Sequence, residues 1–207
     1  MCLIGVLVSL AGCAGKIHYP NYYVLNIPTP APEANVPTPV LGSAAVREFS
    51  APRFLKAGTI VYRQTPEQLG FYEYGRWAVD PRGSVTDAFV RALQARGTFK
   101  SVHAFDGRTP SEYLVTGSLD HLEEVDQGRD VFVTVGLSAQ LLDLKTGEVI
   151  WRDVYSESSR LDQHALPGLV AGMSQAAEQA VAHLASSMQD HVTQTAATSG
   201  STNAGQQ

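Results

Sequence analysis

The densest group of ionisable side chains in the chain is Asp120-His121-Leu122-Glu123-Glu124-Val125-Asp126. On a strand, successive side chains point to opposite faces, so His121 and Glu123 would share one face and Asp120, Glu124 and Asp126 the other. A histidine beside carboxylates can hold a metal ion or move a proton in acid–base chemistry. The same residues also suit a solvated strand end running into the turn Gln127-Gly128, and that plainer reading is preferred. The remaining histidines, His18, His103, His164, His183 and His191, are scattered. No G-x-S-x-G, H-E-x-x-H, P-loop or G-x-G-x-x-G pattern occurs. The sequence therefore assigns no catalytic residue and no metal ligand.

The other reactive group is a thiol. Cysteine occurs only at Cys2 and Cys13. Leu10-Ala11-Gly12-Cys13 closes an uncharged apolar run that starts at Leu3. A cysteine after small residues in this setting resembles the lipobox of bacterial lipoproteins. In that class the signal is cut before the cysteine, the thiol receives a diacylglyceryl group, and the new amino end is usually acylated as well. The resemblance makes residues 1–12 a signal peptide, Cys13 the lipidation site and 13–21 a tether. The run is too short to span a bilayer, which needs about 20 residues, and it fits a signal-peptide apolar core. No Lys or Arg precedes it, although a signal normally begins with positive charge, which points to a true start a few codons upstream. The residue after Cys13 is Ala14 and not Asp, which, by resemblance to the sorting pattern of enterobacterial lipoproteins, implies the outer membrane.

Lipid on Cys13 would leave the mature chain without a free thiol or disulfide, so its stability must come from burial. Apolar residues make up 44% of the 207, enough for the core of one domain. The net charge is −5, with no cluster of Lys and Arg. Such a chain is a poor ligand for nucleic acid and has no polybasic grip on anionic lipid. The membrane link rests on Cys13, and no cofactor is expected beyond that covalent lipid.

The elements that must position these groups are legible from periodicity. Tyr22-Tyr23-Val24-Leu25-Asn26-Ile27 reads as a strand. A segment with five prolines, 28–39, follows as a linker or long loop. Short strands are expected near Ala44–Phe49, Ile60–Gln64 and Leu69–Tyr74. Asp80-Pro81 then opens a helix with Val85, Phe89, Ala92, Leu93 and Arg96 at neighbouring positions, closed by Gly97. Strands resume at Val102–Phe105, Tyr113–Glu124 and Val131–Leu144, and the turn Lys145-Thr146-Gly147-Glu148 returns the chain as Val149–Tyr155. Leu166 to about Gln189 reads as an alanine-rich helix with Leu169, Met173, Ala176, Ala180, Leu184 and Met188 as its core stripe. The tail, 191–207, is rich in Thr, Ser, Ala, Gly and Gln and is expected to be disordered. Strands, helix, strands, helix predict an α+β domain over 22–190: a largely antiparallel sheet of about six to eight strands with two helices on one face.

Together these pieces resemble the ABC-type transport auxiliary lipoproteins, the PqiC-like family. The order is a lipobox, Tyr22-Tyr23-Val24-Leu25, a Pro-rich link, Val46-Arg47-Glu48-Phe49, Pro52, Ile60-Val61-Tyr62-Arg63 and then Tyr72-Glu73-Tyr74-Gly75-Arg76-Trp77-Ala78. Tyr72, Arg76, Trp77 and Ala78 match the family's Y-x-x-x-R-W-A stretch ahead of a helix. The resemblance covers Cys13 to Met188. It implies a non-enzymatic lipoprotein on the periplasmic face of the outer membrane. Its partners would be an MCE-domain protein, which binds lipid, and the permease and ATPase of the same transport system. A homo-oligomer is a further possibility.

Tyr22, Tyr23, Arg76 and Trp77 are the candidate contact residues. Trp77 is read as core or as a contact anchor, with core favoured, and Arg76 as part of a structural ion pair. At least one of Tyr22 and Tyr23 should face outward, because they alternate on a strand. The competing class is an outer-membrane assembly lipoprotein that guides or plugs a β-barrel. A lipid-anchored hydrolase ranks last.

Overall fold

The computed structural model describes residues 18–31, 38–161 and 165–203. Cys13, the lipobox and half of the Pro-rich segment, 32–37, lie outside them. Among the described residues one sheet of eight strands carries two helices.

The spine of the sheet is a meander of three long strands: β6 (Tyr113–Gln127), β7 (Asp130–Asp143) and β8 (Val149–Arg160). Val131, Val133, Val135, Leu137, Ala139 and Leu141 alternate inward along β7 and are buried. The β7–β8 turn is built by Asp143, whose Oδ1 accepts the Lys145 and Thr146 amides at 2.7 and 3.2 Å. Gly147 supplies the left-handed residue, φ 76°. Four residues later Trp151 is buried and donates Nε1–H to Ser187 Oγ at 3.3 Å, which docks β8 on a helix.

The far edge of β6 is shared by two shorter strands. β2 (Leu41–Val46) pairs with its beginning and β3 (Thr59–Thr65) with its end, both parallel. Between them Ser50 bridges to Ser118. β4 (Gln68–Trp77) pairs antiparallel with β3, and β5 (Phe99–Ala104) parallel with β2. β1 (Asn21–Tyr23) pairs parallel with the end of β4. The antiparallel ladders are the long ones, and the sheet is mixed at the side where β2 and β3 join. Gly117 of β6 leaves room for the buried Phe49. A Cβ there would stand 2.5 Å from the Phe49 ring and 2.8 Å from the Ser138 carbonyl oxygen.

Helix α1 (Pro81–Arg96) forms where expected. Asp80 caps it by accepting the Arg82 amide at 3.0 Å, Pro81 starts it, and Gly97 ends it at φ 65°. Val85, Phe89, Ala92 and Leu93 turn inward, and Phe89 meets Phe49 at 5.5 Å between ring centroids. Burial pushes the Asp80 carboxyl up, but hydrogen bonds from the Arg82 side chain and amide outweigh it and hold the group below its usual range. A carboxyl depressed in the folded state stabilises above its unfolded value and loses that contribution as pH falls through the folded one. Asp80→Ala is expected to cost about 0.5–2 kcal/mol near neutral pH. In urea titrations at several pH values the difference from wild type should shrink below about pH 4. A gap that widens on acidification would contradict this account of the cap.

Helix α2 (Leu166–Asn203) lies beside α1 on the same face. All six residues of its expected stripe are buried. Two expectations need correction. The helix does not end near Gln189 with a disordered tail from 191, but runs on to Asn203. Val192 continues the Leu184–Met188 stripe into the core, and the Thr195 hydroxyl bonds back to the His191 carbonyl. The first strand is also shorter than 22–27. After Tyr23 the chain leaves the sheet, and Leu25 and Ile27 are buried against the helices while the Asn26 amide donates to Ser174 Oγ of α2 at 3.1 Å.

Candidate partner-binding surface

The register of the first sheet edge brings the four candidate contact residues together. Tyr22 pairs with Arg76 and Tyr23 with Trp77, and the Ala78 amide donates to the Tyr23 carbonyl at 2.7 Å. Two motifs some fifty residues apart in sequence are thus cross-strand neighbours. Their side chains have different tasks. Trp77 is only 6% exposed and belongs to the core. Tyr23 is half-buried and packs on the same core. Arg76 donates from Nη1 to the Tyr72 carbonyl at 2.6 Å and the Gly75 carbonyl at 2.9 Å. It bonds to backbone oxygens where the register of β3 and β4 shifts, rather than to a carboxylate among the described residues. Tyr22 is exposed and faces outward.

Gly75 explains the tight spot beside them. A Cβ there would stand 2.6 Å from Leu166 at the start of α2. Tyr72, the first residue of the motif, turns inward and donates its hydroxyl to Glu124 Oε2 at 2.6 Å. Burial, then this bond, raises the Tyr72 hydroxyl above its ordinary value, so it stays a donor at physiological pH.

Within the acidic run, His121, Glu123 and Glu124 make similar structural bonds. A bulge at Asp120 lets both Leu119 and Leu122 face the helices. His121 and Glu123 share the opposite face, as strand alternation predicts, with His121 Nδ1 3.0 Å from Glu123 Oε1. Arg63 closes on Glu123 Oε2 with Nη2 at 2.9 Å and Nε at 3.1 Å. Glu123 is buried and already neutralised, so its oxygens are not presented to a substrate. Among the described residues no three His, Cys, Asp or Glu side chains stand together in a way that could hold a metal ion. A broad open concavity on the helix-free face is lined by Arg47, Glu48, Thr116, Ser118, Gln140 and Arg152, none paired as nucleophile and base. No helix among the described residues is long and apolar enough to cross a membrane.

The sequence reading missed the aromatic side chains around Tyr22. Phe71 and Tyr74 of β4 are exposed, and the Tyr74 ring meets His18 at 5.5 Å. The signal was present in Phe71-Tyr72-Glu73-Tyr74, where Tyr72 inward leaves its neighbours outward. The irregular register of β4, however, cannot be read from alternation.

One eight-stranded sheet with two helices on one face defines an α+β domain. The chain matches the family model described as ABC-type transport auxiliary lipoprotein component over residues 23–185, and it belongs to that family. Its fold is similar to that of a Xanthomonas campestris protein, with TM-score 0.71 and 21% identity over 84% of this chain and 98% of that one. It is also similar to an uncharacterised protein, with TM-score 0.62 and 13% identity over 82% and 99% of the two chains. A Chlamydia trachomatis hypothetical protein gives TM-score 0.51 and 10% identity over 73% and 98%. No curated protein sequence matches significantly.

Proposed function

We propose that this protein is a non-enzymatic accessory of an ABC/MCE-type lipid-transport system. It is held by lipid on Cys13 at the periplasmic face of the outer membrane, where it docks the periplasmic conduit. The family match over 23–185 carries the reading. Two further features support it. The carboxylates that might have done chemistry are tied to Arg63 and Tyr72. The domain has no nucleotide-binding pattern, so energy would come from the partner ATPase. Tyr22 and its neighbours, on the edge strand β1, are the first contact candidates.

The reading is tested by mixing the detergent-purified lipoprotein with the purified periplasmic region of an MCE-domain protein from the same cell. A saturable complex is expected. A complex formed instead with a β-barrel assembly protein would transfer the domain to the runner-up class.

A further inference from the structure

Exposed large apolar side chains are not spread evenly over the described surface. Of the eleven large apolar side chains exposed among the described residues, Tyr19, Tyr22, Val24, Phe71, Tyr74 and Val79, between 43% and 78% exposed, lie on β1, on β4 or on residues flanking them, whereas Val40, Phe105, Leu144, Val149 and Val154 lie elsewhere. The β1–β4 register joins the two segments, and the His18–Tyr74 ring contact closes the patch on its amino-terminal side. A cluster of exposed apolar side chains marks a contact with a partner or a membrane.

Its position selects the partner. His18 is five residues after Cys13, and five extended residues reach at most about 18 Å. If Cys13 carries lipid, as the proposed function requires, the patch cannot leave the neighbourhood of the headgroups. Tyrosine suits that depth, because its ring is apolar and its hydroxyl remains wet. We propose that this patch lies on the bilayer surface, with Tyr22, Phe71 and Tyr74 resting among the lipid headgroups. The tether and the patch then fix the tilt of the domain, so that the β7–β8 turn points away from the membrane. The contact is apolar. Glu73, the one charged residue between Phe71 and Tyr74, is exposed. The association should therefore change little with salt.

The lipidated chain makes a clean test, because acylation consumes the Cys13 thiol and a newly introduced cysteine is then the only free one. Single variants Tyr22→Cys, Glu73→Cys and Lys145→Cys are labelled with an environment-sensitive fluorophore. They are then placed in phosphatidylethanolamine–phosphatidylglycerol vesicles that contain a lipid-borne quencher. Lys145 serves as the distal reference, since its turn lies at the opposite end of β6 from β3 and β4. Labels at 22 and 73 should be quenched several-fold more than the label at 145, equally at low and high salt. Adding Phe71→Ser and Tyr74→Ser to the Glu73→Cys protein should reduce that quenching, with circular dichroism confirming the fold. Equal quenching at all three sites, or shielding of 22 and 73 only when a protein partner or a second copy binds, would overturn the proposal. Mass spectrometry of Cys13 separates the two readings. A lipidated cysteine with equal quenching rejects the patch alone, whereas an unmodified cysteine rejects the anchor on which both depend.

Discussion

Replacing Cys13 with serine should release the protein from membranes. The expected loss is nearly complete, because little else in the chain can hold it there. Buried acyl chains contribute about 0.8 kcal/mol per CH₂, and two or three chains give effectively permanent attachment where one does not. The described residues contain no helix able to cross a bilayer. A net charge of −5 without a basic cluster offers no attraction to anionic headgroups. The aromatic patch around Tyr22 can orient a tethered domain, but a few half-exposed rings cannot replace the chains. Cys13→Ser should therefore fail to incorporate labelled fatty acid and should appear in the soluble fraction. Labelling as strong as that of the wild type would contradict the anchor.

Replacing Trp77 with alanine should cost about 3–5 kcal/mol, the usual range for deleting a large buried aromatic side chain. Against a domain stability of about 5–15 kcal/mol this is a large share. The site has little means of collapsing around the cavity. Trp77 sits where β1, β4 and the turn after the short 3-10 helix (Arg53–Ala57) meet, with its own amide donating to the Gly58 carbonyl at 2.8 Å. Tyr22→Ala, one residue from Tyr23 on the same strand, should change stability by no more than about 0.5 kcal/mol, as for other surface positions. Urea unfolding of the soluble chain beginning after Cys13 checks both variants. A Trp77→Ala protein of wild-type stability that no longer binds its partner would restore Trp77 as a contact residue.

Much of the fold was legible because it is local. The stripe Val85, Phe89, Ala92, Leu93 and the cap pair Asp80 and Gly97 define α1 within one window. The alternation of β7 and the turn chemistry of Asp143 and Gly147 define the β6–β7–β8 meander. What escaped is non-local. Nothing in the immediate sequence states that β2 and β3 share one edge of β6, or that β1 runs parallel to β4 some fifty residues later. The end of the first strand escaped because Leu25 and Ile27 have the apolar alternation of a strand, yet they are buried by helices rather than by sheet neighbours. The end of α2 escaped because its composition suggests disorder, while Val192 still finds the core.

The candidate site was half legible for the same reason. The motifs Tyr22-Tyr23 and Arg76-Trp77 were picked out separately, and only the fold makes them neighbours. It also divides them: Trp77 and Arg76 build the edge, and Tyr22 presents it. The histidine and carboxylates of the acidic run fell on the faces that alternation predicts around His121 and Glu123. The Asp120 bulge and the Arg63 clamp required the structure.

The central claim is that this domain works by holding an MCE-type partner at the membrane and not by chemistry of its own. The most direct test is recovery of partners from cross-linked, detergent-solubilised envelopes with the tagged, lipidated protein as bait. The account predicts an MCE-domain protein, enriched with the wild type and lost with Cys13→Ser, which removes the bait from the membrane. Barrel-assembly components recovered with no MCE-domain protein, even after cross-linking, would contradict it.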